Sequence, residues 1–292
     1  MTTNVDVERP TLRTARLSCS LITWAGEHER GLREISDLGF RAVEPPWRFA
    51  RAWSEDPQGF AKRVASHGLE VSAMYAGTSL FGDGDPEASV DSLVEVGTFL
   101  GKINVGMLVA GPAMTELAAD QVDETRLRRG ARILEEASER LAPMGVRLSV
   151  HPHLWSELAV GEVIDGLLSR TDPATVGVCV DTAHLAGAGV DVPSFIRRHG
   201  QRCWHVHLKD LRRGGELRWR PKDAPAGSLL PFTELGDGQI DWAASFTALG
   251  AVNYSGWLVV EIDHTLLEPR KSIEQCRDWL QEHFGLTTSL GF

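Results

Sequence analysis

Val176-Gly177-Val178-Cys179-Val180-Asp181-Thr182-Ala183-His184 is an apolar run that stops at a carboxylate and reaches a histidine three residues on. Residues 176–180 show no alternation of polar and apolar side chains. That is the pattern of a strand covered on both faces, as in a parallel sheet flanked by helices. Similar runs predict strands at 16–24, 41–45, 69–76, 104–110, 146–153, 203–209 and 256–263, with this one over 176–181. Segments of helical period separate and follow them, at 27–38, 57–67, 86–100, 124–144, 162–169, 192–198, 242–249 and 269–284. Such a string fits an α/β fold, either a single (β/α)8 TIM barrel or a doubly wound open sheet. Two features favour the barrel: no GxGxxG turn follows the first strand, and polar clusters follow several strands rather than gathering at one switch point. No linker or low-complexity stretch divides the chain, so one domain is expected over 1–292, with the barrel at about 16–285.

Composition narrows the partners. The 292 residues are 42% hydrophobic and 24% charged, ordinary for a globular chain with a sizeable core. A formal net charge of −10 repels phosphate backbones, and the basic clusters Arg126-Leu127-Arg128-Arg129 and Arg197-Arg198 fall on predicted helices, so nucleic acid is not an expected partner. Cys19, Cys179, Cys203 and Cys276 form no CxxC pair and mostly interrupt apolar runs, which suits a reducing compartment. The first residues lack the apolar core of a secretory signal, and no stretch approaches the roughly 18 apolar residues of a membrane span. A cytoplasmic protein without a membrane partner is expected.

Four polar clusters close the last predicted strands. In His151-Pro152-His153 two imidazoles alternate along an extended segment and share one side, and Pro152 stiffens the strand end. They can bind a metal, share the work with a substrate, or simply pair under a loop. Asp181 could serve only as a helix N-cap, but Gly187-Ala188-Gly189 predicts a loop before any helix begins. In Trp204-His205-Val206-His207-Leu208-Lys209-Asp210, period two sets His205, His207 and Lys209 on one face, inward in a barrel. A lysine inside a barrel calls for a carboxylate or a substrate oxygen. Glu261 ends the last strand. Imidazoles and carboxylates delivered from four successive strand ends can converge on one divalent metal. The irregular stretch 211–241 follows the seventh strand on the same side, where long loops act as lids or substrate walls.

With these residues in view, the sequence resembles the xylose isomerase-like TIM-barrel superfamily, which includes sugar isomerases and epimerases, inosose dehydratases and endonuclease IV. The resemblance covers nearly the whole chain and is carried by Asp181-Thr182-Ala183-His184, His207-Leu208-Lys209-Asp210, Leu235-Gly236-Asp237-Gly238 with Asp241, and Trp257-Leu258-Val259-Val260-Glu261. His151-Pro152-His153 is most similar to the inosose dehydratase branch. The resemblance implies one divalent metal, manganese first, with cobalt, iron, zinc or magnesium as alternatives. Its ligands would be Asp181, His207 and Glu261, with His151 at the fifth-strand position where many members have glutamate; His153 or Glu157 are alternatives there. Endonuclease IV itself fits poorly, because the second and third predicted strands carry none of its extra histidines.

The implied chemistry is enolisation of a keto-sugar or keto-inositol, ending in dehydration or in isomerisation or epimerisation. Glu261 or His151 would be the base, with His184 and Lys209 orienting or protonating departing oxygens. His153, Glu44, Trp24, Trp47, Tyr75 and Trp155 are candidate walls for a sugar or cyclitol, the aromatic faces against C–H surface and Glu44 against hydroxyls. A lyase subunit acting on oxidised 3-keto-glycosides and a non-catalytic sugar-binding barrel are the alternatives. Self-association is compatible with such a barrel, although no residue identifies a surface for it.

Overall fold

The computed structural model describes residues 12, 15–113, 119–154, 156–159, 161–213 and 231–288. Its strands are β1 (Arg16–Ser20), β2 (Ala42–Glu44), β3 (Glu70–Val71), β4 (Met74–Thr78), β5 (Met107–Pro112), β6 (Arg147–Val150), β7 (Val176–Asp181), β8 (Cys203–Leu208), β9 (Asp210–Leu211), β10 (Phe232–Thr233) and β11 (Trp257–Val260). Nine of them form one parallel sheet in the order β3-β2-β1-β11-β8-β7-β6-β5-β4. The two ends of that order, β3 and β4, are consecutive pieces of one stave joined at Ser72 and Ala73. The sheet therefore closes into a TIM barrel of eight staves, with α-helices outside.

The third stave breaks because its halves serve different neighbours. Glu70 and Val71 pair with β2, while Met74 to Thr78 pair with β5. At the break, Ser72 donates its backbone N–H to Val43 O at 3.0 Å and shares a 2.7 Å hydroxyl contact with Ser18 inside the barrel. The fourth stave starts at Met107, later than expected, because Asn104 takes a left-handed φ of 56° as the chain leaves the preceding helix. Pairing also outlasts the formal strand ends: His151 N–H donates to Ala110 O at 2.8 Å, and Glu261 N–H to Leu208 O at 3.1 Å. The cluster residues are thus held by the ladder itself.

The helices are α1 (His28–Asp37), α2 (Trp47–Ala50), α3 (Pro57–Ala65), α4 (Pro86–Lys102), α5 (Glu124–Leu141), α6 (Gly161–Leu168), α7 (Thr182–Gly187), α8 (Val192–His199), α9 (Trp242–Ala251) and α10 (Pro269–Phe284). Several begin at an aspartate whose carboxylate accepts a first-turn N–H: Asp56, Asp85, Asp123, Asp191 and Asp241. The loop expected after Asp181 is instead the short helix α7, and Asp181 caps it by accepting from His184 N–H at 2.8 Å. Among the described residues no helix is long and apolar enough to cross a membrane.

Asp210 anchors the connection after β8. Its carboxylate accepts backbone N–H groups from Leu211, Gly236, Gly238 and Ile240 and the indole N–H of Trp242. A Cβ on Gly238 would stand 2.0 Å from Asp210 Oδ1, which explains the glycine. The antiparallel pair β9–β10 forms the neck of this connection. Positions 214–230, on which most of the expected lid falls, lie outside the described residues.

Residue pairing between β7 and β8 skips one residue. Val178 faces Cys203 and Cys179 faces His205, so Trp204 is the extra residue of a bulge. Its ring lies over Gly177, where a Cβ would meet it at 2.3 Å. Gly177→Ala should therefore lower the free energy of urea unfolding by about 1–3 kcal/mol. Adding Trp204→Leu should recover most of that loss; equal midpoints for wild type and Gly177→Ala would refute this account of the bulge.

Candidate functional site

The C-terminal ends of the last four staves bring His151, Asp181, His207 and Glu261 together. One ligand atom from each lies within 4.8 Å of the others, and all four side chains are buried. His151 Nε2 is 3.2 Å from His207 Nδ1 and 3.5 Å from Asp181 Oδ2. His207 Nδ1 is 3.7 Å from Asp181 Oδ2 and 3.4 Å from Glu261 Oε2. Asp181 divides its two oxygens: Oδ1 caps α7, while Oδ2, sealed from solvent, faces the cluster with the Lys209 ammonium 3.3 Å away and no well-directed hydrogen bond among the described residues. Two imidazole nitrogens and two carboxylate oxygens, one of them without a well-directed hydrogen bond, are a donor set that fits a divalent transition ion.

Lys209 stands beside this group with no exposed surface. Its Nζ is 2.6 Å from Glu261 Oε1, 3.0 Å from Asp263 Oδ1, 3.3 Å from Asp181 Oδ2 and 3.2 Å from His184 Nε2. Burial alone would discharge the amine. Asp181, Asp263 and Glu261 outweigh that cost and push its pKa well above the usual lysine value. Burial would also raise the Asp181 and Glu261 carboxyls, but Lys209 for the first, and His207 with Lys209 for the second, hold both well below the carboxylate range. His207 is opposed by burial, yet Cys179, Glu261 and Glu44 raise it well above an ordinary histidine. Burial lowers His151 to about 4 and keeps it neutral.

A cavity of about 180 Å³ opens over the cluster, lined in part by Tyr75, His151, His153, Glu261, Asp263 and Arg48. Tyr75 meets His151 edge-on at 5.5 Å, in space left by Gly111. His153 stays out of the four-donor group and packs against His184, with ring centroids 4.1 Å apart. These two and Asp263 form a second, adjoining set. Glu157 is buried and belongs to neither set. A larger cavity, about 450 Å³, opens at the opposite end of the barrel, where Arg16 and Arg147 stack over Trp257 and Trp204. Among the described residues no carboxylate lines it, whereas Glu44, Glu261 and Asp263 line the cavity at the C-terminal end.

Two expected walls sit elsewhere. The first strand ends at Ser20 in a 3-10 turn, which swings Trp24 into the core, where its Nε1 donates to Glu34 at 2.7 Å. Trp47 packs edge-on against Phe99 at 5.3 Å in the layer outside the barrel. Glu44 borders the cavity, but both its oxygens are taken by histidines: His205 Nε2 at 2.6 Å and His207 Nε2 at 3.0 Å. Each oxygen keeps a second acceptor site, so the expected hydrogen bonds to sugar hydroxyls would share it with these imidazoles. Trp155 lies outside the described residues. Asp263 and Arg48 were not anticipated; Asp263 follows Glu261 at the same period of two that links His151 to His153, and that spacing was the available signal.

Comparison with known proteins identifies the fold and the family. An inosose dehydratase of Lactiplantibacillus plantarum is 34% identical over 155 residues, covering 51% of this chain and 52% of that protein. The chain thus spans about half the length of the first curated relatives it matches. An inosose dehydratase of Geobacillus kaustophilus is 26% identical over 278 residues, 87% of this chain and 89% of the relative. Among solved structures, an IolI protein described with a bound zinc atom superposes with a TM-score of 0.72 at 17% identity, covering 92% of this chain and 98% of that one, a likeness of fold. The family model described as xylose isomerase-like TIM barrel matches residues 32–283, and the chain belongs to that family.

Proposed function

We propose that this protein is a divalent-metal-dependent enzyme that enolises a keto-cyclitol of the inosose type and eliminates water from it. The observation that carries this reading is the buried four-donor cluster with an ammonium against its edge. Similarity to inosose dehydratases along most of the chain supports the substrate class. His151, Asp181, His207 and Glu261 would hold the ion, which when bound supplies Lewis-acid polarisation of the substrate carbonyl. Glu261, kept ionised by His207 and Lys209, is the candidate base for the C–H next to that carbonyl. Lys209 stays an ammonium and touches both Asp263 and His184, so it can hold the departing hydroxyl through an N–H, while the proton that Glu261 takes from carbon leaves with that hydroxyl as water. His153 and Tyr75 line the wall against which the ring would lie.

Inososes, ketohexoses and 3-keto-glycosides should be offered in deuterated solvent with manganese or cobalt added. Metal-dependent loss of water from an inosose is the expected result. Deuterium uptake without water loss would redirect the reading to isomerisation or epimerisation, and a protein that binds no metal would end it.

Because the metal-free protein holds His207 protonated, coordination through Nδ1 must expel a proton. Manganese affinity should therefore rise with pH around neutrality, and calorimetric binding heats should depend on the ionisation enthalpy of the buffer. Heats independent of the buffer would contradict this. Lys209→Met leaves three carboxylates without their ammonium and should cost about 3–5 kcal/mol of metal-free stability in urea unfolding. Added manganese should restore part of it, since the ion replaces the missing positive charge.

A further inference from the structure

The Nε2 side of His207 carries a second arrangement, Glu44 between two imidazoles. Glu44 Oε1 lies 3.0 Å from His207 Nε2 and Oε2 lies 2.6 Å from His205 Nε2, with all three side chains buried. A buried carboxylate held at hydrogen-bond distance on both oxygens by imidazole nitrogens is the acceptor in each contact. An ionised carboxylate has only acceptors to offer. Each histidine must then donate from Nε2, which leaves Nδ1 of His207 as the nitrogen turned toward Asp181 Oδ2, Glu261 Oε2 and His151 Nε2.

We infer that Glu44 and His205 are positioning residues: Glu44, kept from rotating by His205, fixes the His207 proton on Nε2 and presents Nδ1 as the ligand atom. This rests on the metal reading given above. The carboxylate comes from β2 and the histidines from β8, so the two staves fix the ring angle from outside the four-donor group. Carboxylate partners of ligating histidines commonly hold the ring and its tautomer in this way. His205 completes the device by occupying the oxygen that would otherwise let the carboxylate turn. In Glu44→Gln the amide has one acceptor face and one donor face, so it cannot receive both N–H groups.

The test uses the full chain labelled with ¹⁵N at histidine, with and without zinc. In the wild type, Nε2 of His207 should remain protonated in both states, and zinc should shift Nδ1. Glu44→Gln should weaken zinc affinity, measured by chelator competition, by about 10- to 100-fold. His205→Phe should retain the protonated Nε2 and lose less affinity than Glu44→Gln. An unprotonated His207 Nε2 in the wild type, or a folded Glu44→Gln protein with zinc affinity within about twofold of wild type, would overturn the inference. Should Glu44→Gln not fold, the wild-type and His205→Phe spectra decide. A wild type that binds no zinc ends the metal reading, whereas the metal-free spectrum, followed to the pH at which His207 becomes a neutral imidazole, still reports whether Glu44 keeps its remaining proton on Nε2.

Discussion

A single buried ammonium makes the rest of this site affordable. Asp181, Glu261 and Asp263 converge from two staves at the largely buried floor of the cavity, where three carboxylates so placed would repel one another. Lys209 lies within 3.3 Å of an oxygen from each. Its charge helps keep Asp181 and Glu261 ionised, and ionised carboxylates can serve as ligands and as a base. The barrel interior thereby stores a set of strong acceptors whose free energy would improve further with any added positive charge.

The same economy appears in how single residues serve two structures. Asp181 gives one oxygen to the first turn of α7 and the other to the cluster. Capping fixes the carboxylate plane, so the second oxygen is oriented before any ligand binds. His207 uses one nitrogen toward Glu44 and the other toward the cluster. The rigidity of the site comes from these shared side chains and from ladder hydrogen bonds at His151 and Glu261.

The barrel was legible in the sequence because doubly buried strands leave unbroken apolar runs, and the four-donor cluster was legible because strand ends of a barrel share one rim. Period two also sets His205 and His207 of β8, and Lys209 just past its end, toward the interior. Legibility failed where the chain leaves the ladder. Trp24 follows a 3-10 turn, Trp47 belongs to a short helix after β2, and neither direction is encoded in a strand period. Gly187-Ala188-Gly189 suggested a loop after Asp181, but the capping bond was enough to start α7. The partners of Glu44 were hidden because they lie more than 150 positions away, where only barrel closure brings β2 beside the interior face of β8.

Asp210 has a further consequence for how such a protein can change over generations. Its carboxylate gathers four backbone N–H groups and the Trp242 indole, and Arg212 N–H donates to Pro231 O at 2.6 Å, so the two ends of the intervening segment are clamped beside each other. The strand that bears His207 and Lys209 is mechanically insulated from whatever lies between those ends. Mutation can lengthen, shorten or rewrite that interval and explore new ligands while the reactive residues keep their places, a division of labour that favours diversification over loss.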